Sequence, residues 1–209
     1  TTLQQIAERL GDLPLALHLA GSYLKAYRGL TPFGDPDQFL RELDETEIVA
    51  HTAMHGDDGE PDATEDDSLL VRTFMVSFER LNPHDATDSL ARRLLIHAGF
   101  LASMMPFTSL MLLATLKSED PETAPTRLEY RAVMRLVALG LLTEHQDMLI
   151  VHPLVAAFAR RISDHPDAQS CVEQSLITQS EHSAFNDDMQ AMRLLLPHIR
   201  HCTNSALER

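Results

Sequence analysis

Leu141-Leu142-Thr143-Glu144-His145-Gln146-Asp147-Met148-Leu149-Ile150-Val151-His152-Pro153, residues 141–153, is where the pattern of this chain changes. Elsewhere its apolar residues recur three and four apart, the period of one helix face. Here they bunch into two short runs, Leu141 to His145 and Met148 to Val151, separated by the polar pair Gln146-Asp147. Two such runs around a two-residue gap predict a β-hairpin. Pro153 then has the fixed φ and missing N–H that suit the first turn of a helix, which continues through Leu154, Val155, Phe158 and Ile162.

Upstream of the hairpin the signals are helical. Arg127 to Leu139 is strongly amphipathic and is closed by Gly140, and Thr108 is placed to cap a short helix through Leu112 and Leu116. Asn82-Pro83-His84-Asp85 opens a helix carrying Leu90, Leu94, Leu95 and Ala98 toward Phe100. Three helices, a hairpin and a further helix are the ingredients of a winged helix. Before them, Leu69, Leu70, Phe74, Phe78 and Leu81 mark a helix that starts near Ser68. At the N-terminus, Leu3, Ile6 and Leu10 stop at Gly11, and Pro14 opens a run through Leu17, Ala20, Tyr23, Leu24 and Tyr27 to Gly29. Asp35-Pro36-Asp37-Gln38 is a capping-box pattern leading into Phe39, Leu40 and Leu43. After Pro166, two more helices carry Val172, Leu176 and Ile177, then Met189, Met192, Leu195, Leu196 and Ile199; Pro197 is expected to kink or interrupt the second. The expected fold is mainly α: a helical bundle segment over 1–45, an acidic linker over 46–67, a winged helix with a small β-hairpin over 68–165, and a helical extension over 166–209.

Composition narrows the class. With 209 residues, 44% apolar and 23% charged, the chain can bury a core without staples. No apolar run reaches the roughly 20 residues needed to span a bilayer. Thr1 to Gln5 lacks the basic-then-apolar layout of a signal peptide and reads as the first turn of a helix, as if cut from a longer chain. Cys171 and Cys202 lack paired spacing, so a reducing cytoplasm with free thiols is expected. Of the net charge of −14, residues 41–67 contribute −10, with eleven acidic residues and one basic. A solvated acidic loop therefore sets the low pI, and the overall charge disfavours nonspecific nucleic-acid binding.

Two motifs carry a family resemblance. Leu10-Gly11-Asp12-Leu13-Pro14-Leu15-Ala16-Leu17 resembles the GLPLAL (GxP) motif of the NB-ARC branch of STAND signalling ATPases, with Asp12 where the usual bacterial form has a second glycine. The resemblance implies that Pro14, next to Leu13, packs against the adenine of a bound nucleotide; Pro14 also reads simply as the first residue of a buried helix. Leu149-Ile150-Val151-His152-Pro153 resembles the family's MHD-type motif, with Val151 and Pro153 in place of Met and Asp. By that resemblance His152 contacts the β-phosphate of ADP, while on its own it reads as a helix cap at a strand junction. Between the two, Thr73, Ser77, Leu81, Ala91, Leu94 and Leu95 are similar to the family's pattern opening its winged helix, and Leu194-Leu195-Leu196-Pro197-His198 to its lead-in to tetratricopeptide repeats.

The resemblance implies the regulatory half of a nucleotide-dependent switch. It closes over ADP with a P-loop domain, and opens for oligomerisation when a C-terminal sensor domain is engaged. ADP or ATP with magnesium is expected only in a longer parent, since this chain has no GxxxxGK[ST] loop and no strand ending in acids to hold magnesium; by itself it is expected not to be an enzyme. The alternative is a DNA-binding winged-helix regulator, because Arg127, Arg131 and Arg135 share one face of the helix in the recognition position. Their neighbour Glu129, and the lack of Asn, Gln or Lys beside them, weigh against base reading. A metal site at His51, His55 and the acids of 57–67 is disfavoured, because solvation explains that charge.

Overall fold

In a computed structural model, residues 1–45, 65–116, 125–163 and 165–207 are described. Among them are ten helices and one two-stranded antiparallel hairpin: α1 (Thr2–Arg9), α2 (Pro14–Ala26), α3 (Pro36–Glu45), α4 (Glu65–Glu79), α5 (Ala86–Gly99), α6 (Ser109–Ala114), α7 (Arg127–Ala138), β1 (Thr143–His145), β2 (Met148–Ile150), α8 (Pro153–Arg161), α9 (Ala168–Phe185) and α10 (Met189–Leu207). The chain is mainly α with a small hairpin, as its periodicity predicts. The fourth helix starts at Glu65, three residues before the expected Ser68, and most of the acidic linker and the whole His51–His55 segment lie outside the described residues.

The helices begin where their caps are. Thr1 and Gln4 form a capping box on α1, Asp85 accepts from the N–H groups of Thr87 and Asp88 on α5, and Thr108 accepts from Met111 N on α6. Each fills donors that a helix leaves open at its start. On α1, Ile6 and Leu10 carry the buried side, and Leu3 is 59% exposed.

Contacts divide the chain into two compact units, 1–82 with 138–141, and 83–137 with 142–209. These units do not follow the sequence segments, since α4, read with the winged helix, packs on α2 and α3. In the first unit, Ile6, Leu10, Ala16, Tyr23, Phe39, Leu43 and Val76 form one core. The Tyr23 hydroxyl donates to Glu42 Oε2 (3.2 Å) and accepts from Arg80 Nε (2.9 Å), Arg80 pairs with the Glu42 carboxylate, and its guanidinium lies 4.4 Å from the centre of the Phe33 ring. Burial pushes the Tyr23 hydroxyl up to about 12, ahead of the opposing pull of Arg80, so it stays protonated. This cluster ties α2 and α3 to the end of α4.

In the second unit, α5, α6 and α7 precede the hairpin. Thr143, Glu144 and His145 pair with Ile150, Leu149 and Met148, and Gln146 and Asp147 turn between them with φ of 51° and 62°. Phe107 bridges to Leu149 on the far side of β2, so the hairpin is held to the loop that follows α5. Helix α8 packs on α5, where Gly99 allows close approach: a Cβ there would stand 3.0 Å from the Ala156 carbonyl oxygen. Helices α9 and α10 pack together. The expected interruption at Pro197 does not occur; α10 runs through it to Leu207. The turn after the proline is fixed from outside, because His198 is fully buried and bonded at both ring nitrogens to the loop after α5.

Candidate functional site

Helix α1 ends in a tight reversal that places Pro14. Gly11 and Asp12 both adopt left-handed backbone, with φ of 60° and 53°, and their N–H groups return to the carbonyls of Glu8 (3.1 Å) and Ala7 (3.0 Å). Glycine has no penalty there, and aspartate is among the few other residues that visit this region readily. Leu13 is extended (φ −66°, ψ 122°), packs half-buried against the first unit's core, and makes no side-chain cap on α2. Pro14 follows at the first helical position and is exposed. An apolar ring thus stands at the mouth of a helix whose first N–H groups are not capped by Leu13.

His152 holds on α8 the cap position that Leu13 holds on α2. Val151 is fully buried and its carbonyl accepts from Met104 N (3.0 Å), which fixes the end of the hairpin. His152 is extended and half-buried, and its Nδ1 accepts from Leu154 N at 3.3 Å, so the imidazole caps the helix. An accepting Nδ1 leaves the proton on Nε2, which has no partner among the described residues. Burial lowers its pKa, which favours the neutral ring with its single N–H on Nε2. The capping role and an anion contact are therefore compatible, the first using Nδ1 and the second Nε2. Any charge in such a contact would come from the anion.

The arginine face of α7 is smaller than its sequence suggests. Arg135 Nε bonds Asp88 at 3.0 Å, which leaves Arg127 and Arg131 exposed. Glu129 forms a capping box with Thr126, and the outward strand β1 adds Glu144 with Asp147 at the turn. Two exposed arginines make a poor phosphate track. Among the described residues no three His, Cys, Asp or Glu side chains gather as metal ligands, and no helix is long and apolar enough to cross a membrane.

Several groups were not singled out from the sequence. His97, in the apolar run of α5, bonds Thr115 Oγ1 at 2.8 Å, and burial, then Arg93 and His165, push its pKa down to about 4. His198 accepts from Ala102 N through Nδ1 (3.1 Å) and donates from Nε2 to the Pro106 carbonyl (3.2 Å). A histidine inside an apolar helical pattern was the available signal for His97, but partners some 90 residues away leave none for His198. No protein-family model, curated protein or solved structure matches this chain.

Proposed function

We propose that this chain is the regulatory half of a nucleotide-dependent signalling switch of the NB-ARC/STAND kind, working in a longer protein with a P-loop domain. Support comes from the local geometry at the two motif positions. Pro14 offers an exposed apolar ring for an adenine, and His152 keeps one unengaged N–H donor for a phosphate while capping α8. The observation that carries the reading is the Nε2–H of His152: the ring is held by its cap in one tautomer, and its remaining donor stands at a helix N-terminus, where anions are favoured.

In this reading the ADP-bound protein is closed. Engagement of a sensor domain, with exchange of ADP for ATP and magnesium, releases the winged helix and permits oligomerisation. Hydrolysis belongs to the P-loop domain, and this chain contributes restraint rather than chemistry. The longer protein, purified without added nucleotide, is expected to carry ADP detectable after denaturation. Purification free of nucleotide, with random duplex DNA bound tightly at low salt and lost at high salt, would favour the DNA-regulator reading instead.

A further inference from the structure

A cavity of about 670 Å³ opens between α6, α9 and α10, wholly within the second unit. That volume is in the range of pockets that enclose small organic ligands. Its apolar wall includes Met111, 7% exposed, and Leu195, 2% exposed. Ser183 also lines it, is itself only 7% exposed, and makes no side-chain hydrogen bond to any described residue. A helical hydroxyl can return its proton to the carbonyl four residues back, as Thr178 does to Gln174 on the same helix. Ser183 does not. Its hydroxyl therefore keeps both its proton and its lone pairs for an occupant of the cavity.

The bonds already made around the cavity decide what that partner must be. Gln179 spends its amide N–H on Ser175 Oγ (2.9 Å), which leaves its carbonyl oxygen to accept. Thr178 has spent its proton on Gln174, so only its lone pairs remain. Asp188 Oδ1 caps α10 by accepting from Gln190 N (3.1 Å) and Ala191 N (2.9 Å), while Oδ2 has no partner among the described residues. Asn186 Nδ2 donates to His182 Nε2 at 2.9 Å, leaving a single N–H on that ring. Acceptors predominate, and one of them, the exposed Asp188, is charged.

We propose that this cavity binds a small organic cation, a primary or secondary ammonium on an apolar body. The ammonium meets Asp188 and Ser183, and the body lies on Met111 and Leu195. The site owes nothing to the nucleotide reading, so either stands if the other fails.

The test is titration of n-hexylammonium into the full 209-residue chain, with n-hexanol and hexanoate as comparators, read from the methyl resonance of ¹³C-labelled Met111. Hexylammonium is expected to shift that resonance saturably and to bind about tenfold more tightly than hexanol, with hexanoate weakest. Asp188→Asn keeps a capping residue on α10 and is expected to lower hexylammonium affinity about tenfold while leaving hexanol unchanged. Ala191→Trp fills the cavity and is expected to abolish both; circular dichroism checks its fold, and Asp188→Asn decides the matter if it unfolds. No saturable shift with hexylammonium, hexanoate binding as tightly as the ammonium, or unchanged hexylammonium affinity in Asp188→Asn would each overturn the proposal.

Discussion

Ser77 is fully buried on α4, and its hydroxyl has no hydrogen-bond partner among the described residues. Removing an unpaired buried hydroxyl removes a desolvation cost, so Ser77→Ala is expected to stabilise the protein by about 1 kcal/mol in urea unfolding; a loss of stability would mean that the hydroxyl is bonded. The buried histidines act in the opposite sense. Thr115 donates to the Leu112 carbonyl and so accepts from the His97 Nδ1–H, whereas the Nδ1 of His198 must be bare to accept from Ala102. The bonds of His198 require a neutral ring, whereas His97 is held neutral chiefly by its burial. A histidine whose folded pKa is lowered costs nothing above its unfolded value and destabilises the fold as pH drops below it. Stability should therefore be full above about pH 6.5 and fall toward pH 4, where His97 alone costs on the order of 3 kcal/mol. Urea unfolding across that range checks it, and a His97→Gln variant should show a shallower fall.

At the scale of elements, the hairpin was the most legible feature, because two apolar runs two residues apart have few other solutions. The turn is nonetheless strained: Gln146 and Asp147 both hold positive φ, where Asn-Gly is the relaxed choice. Asp147→Gly is expected to raise stability by about 0.5 kcal/mol, seen as a higher midpoint of thermal unfolding; a lower midpoint would mean that the aspartate side chain supports the turn. Helix starts were legible for the same local reason, since Asp85 and Thr108 cap with their own side chains. Helix α10 passes Pro197 without interruption, and the reason is not local. A proline removes one helical donor, yet the following turn is anchored by His198 to residues more than 90 positions away, which no window of sequence contains. Leu3 shares the spacing of Ile6 and Leu10 yet stays exposed, because a short helix buries only a narrow face.

At the scale of the molecule, composition and periodicity give the class and the order of elements. They do not give the grouping, because whether α4 joins the helices before or after it depends on packing with α2 and α3 through Tyr23, Glu42 and Arg80. The two motif positions are similarly half legible. Sequence places Pro14 and His152 at the starts of helices, and the structure adds that Pro14 is exposed and that His152 spends one nitrogen on its own cap. The rate of ADP release from the longer protein, followed with a fluorescent analogue, tests the switch most directly. Loss of the His152 contact removes roughly 1.5–3 kcal/mol, so His152→Ala should release ADP about tenfold to a hundredfold faster than wild type. Release at the wild-type rate from a folded His152→Ala variant would contradict the assignment of this histidine to the nucleotide.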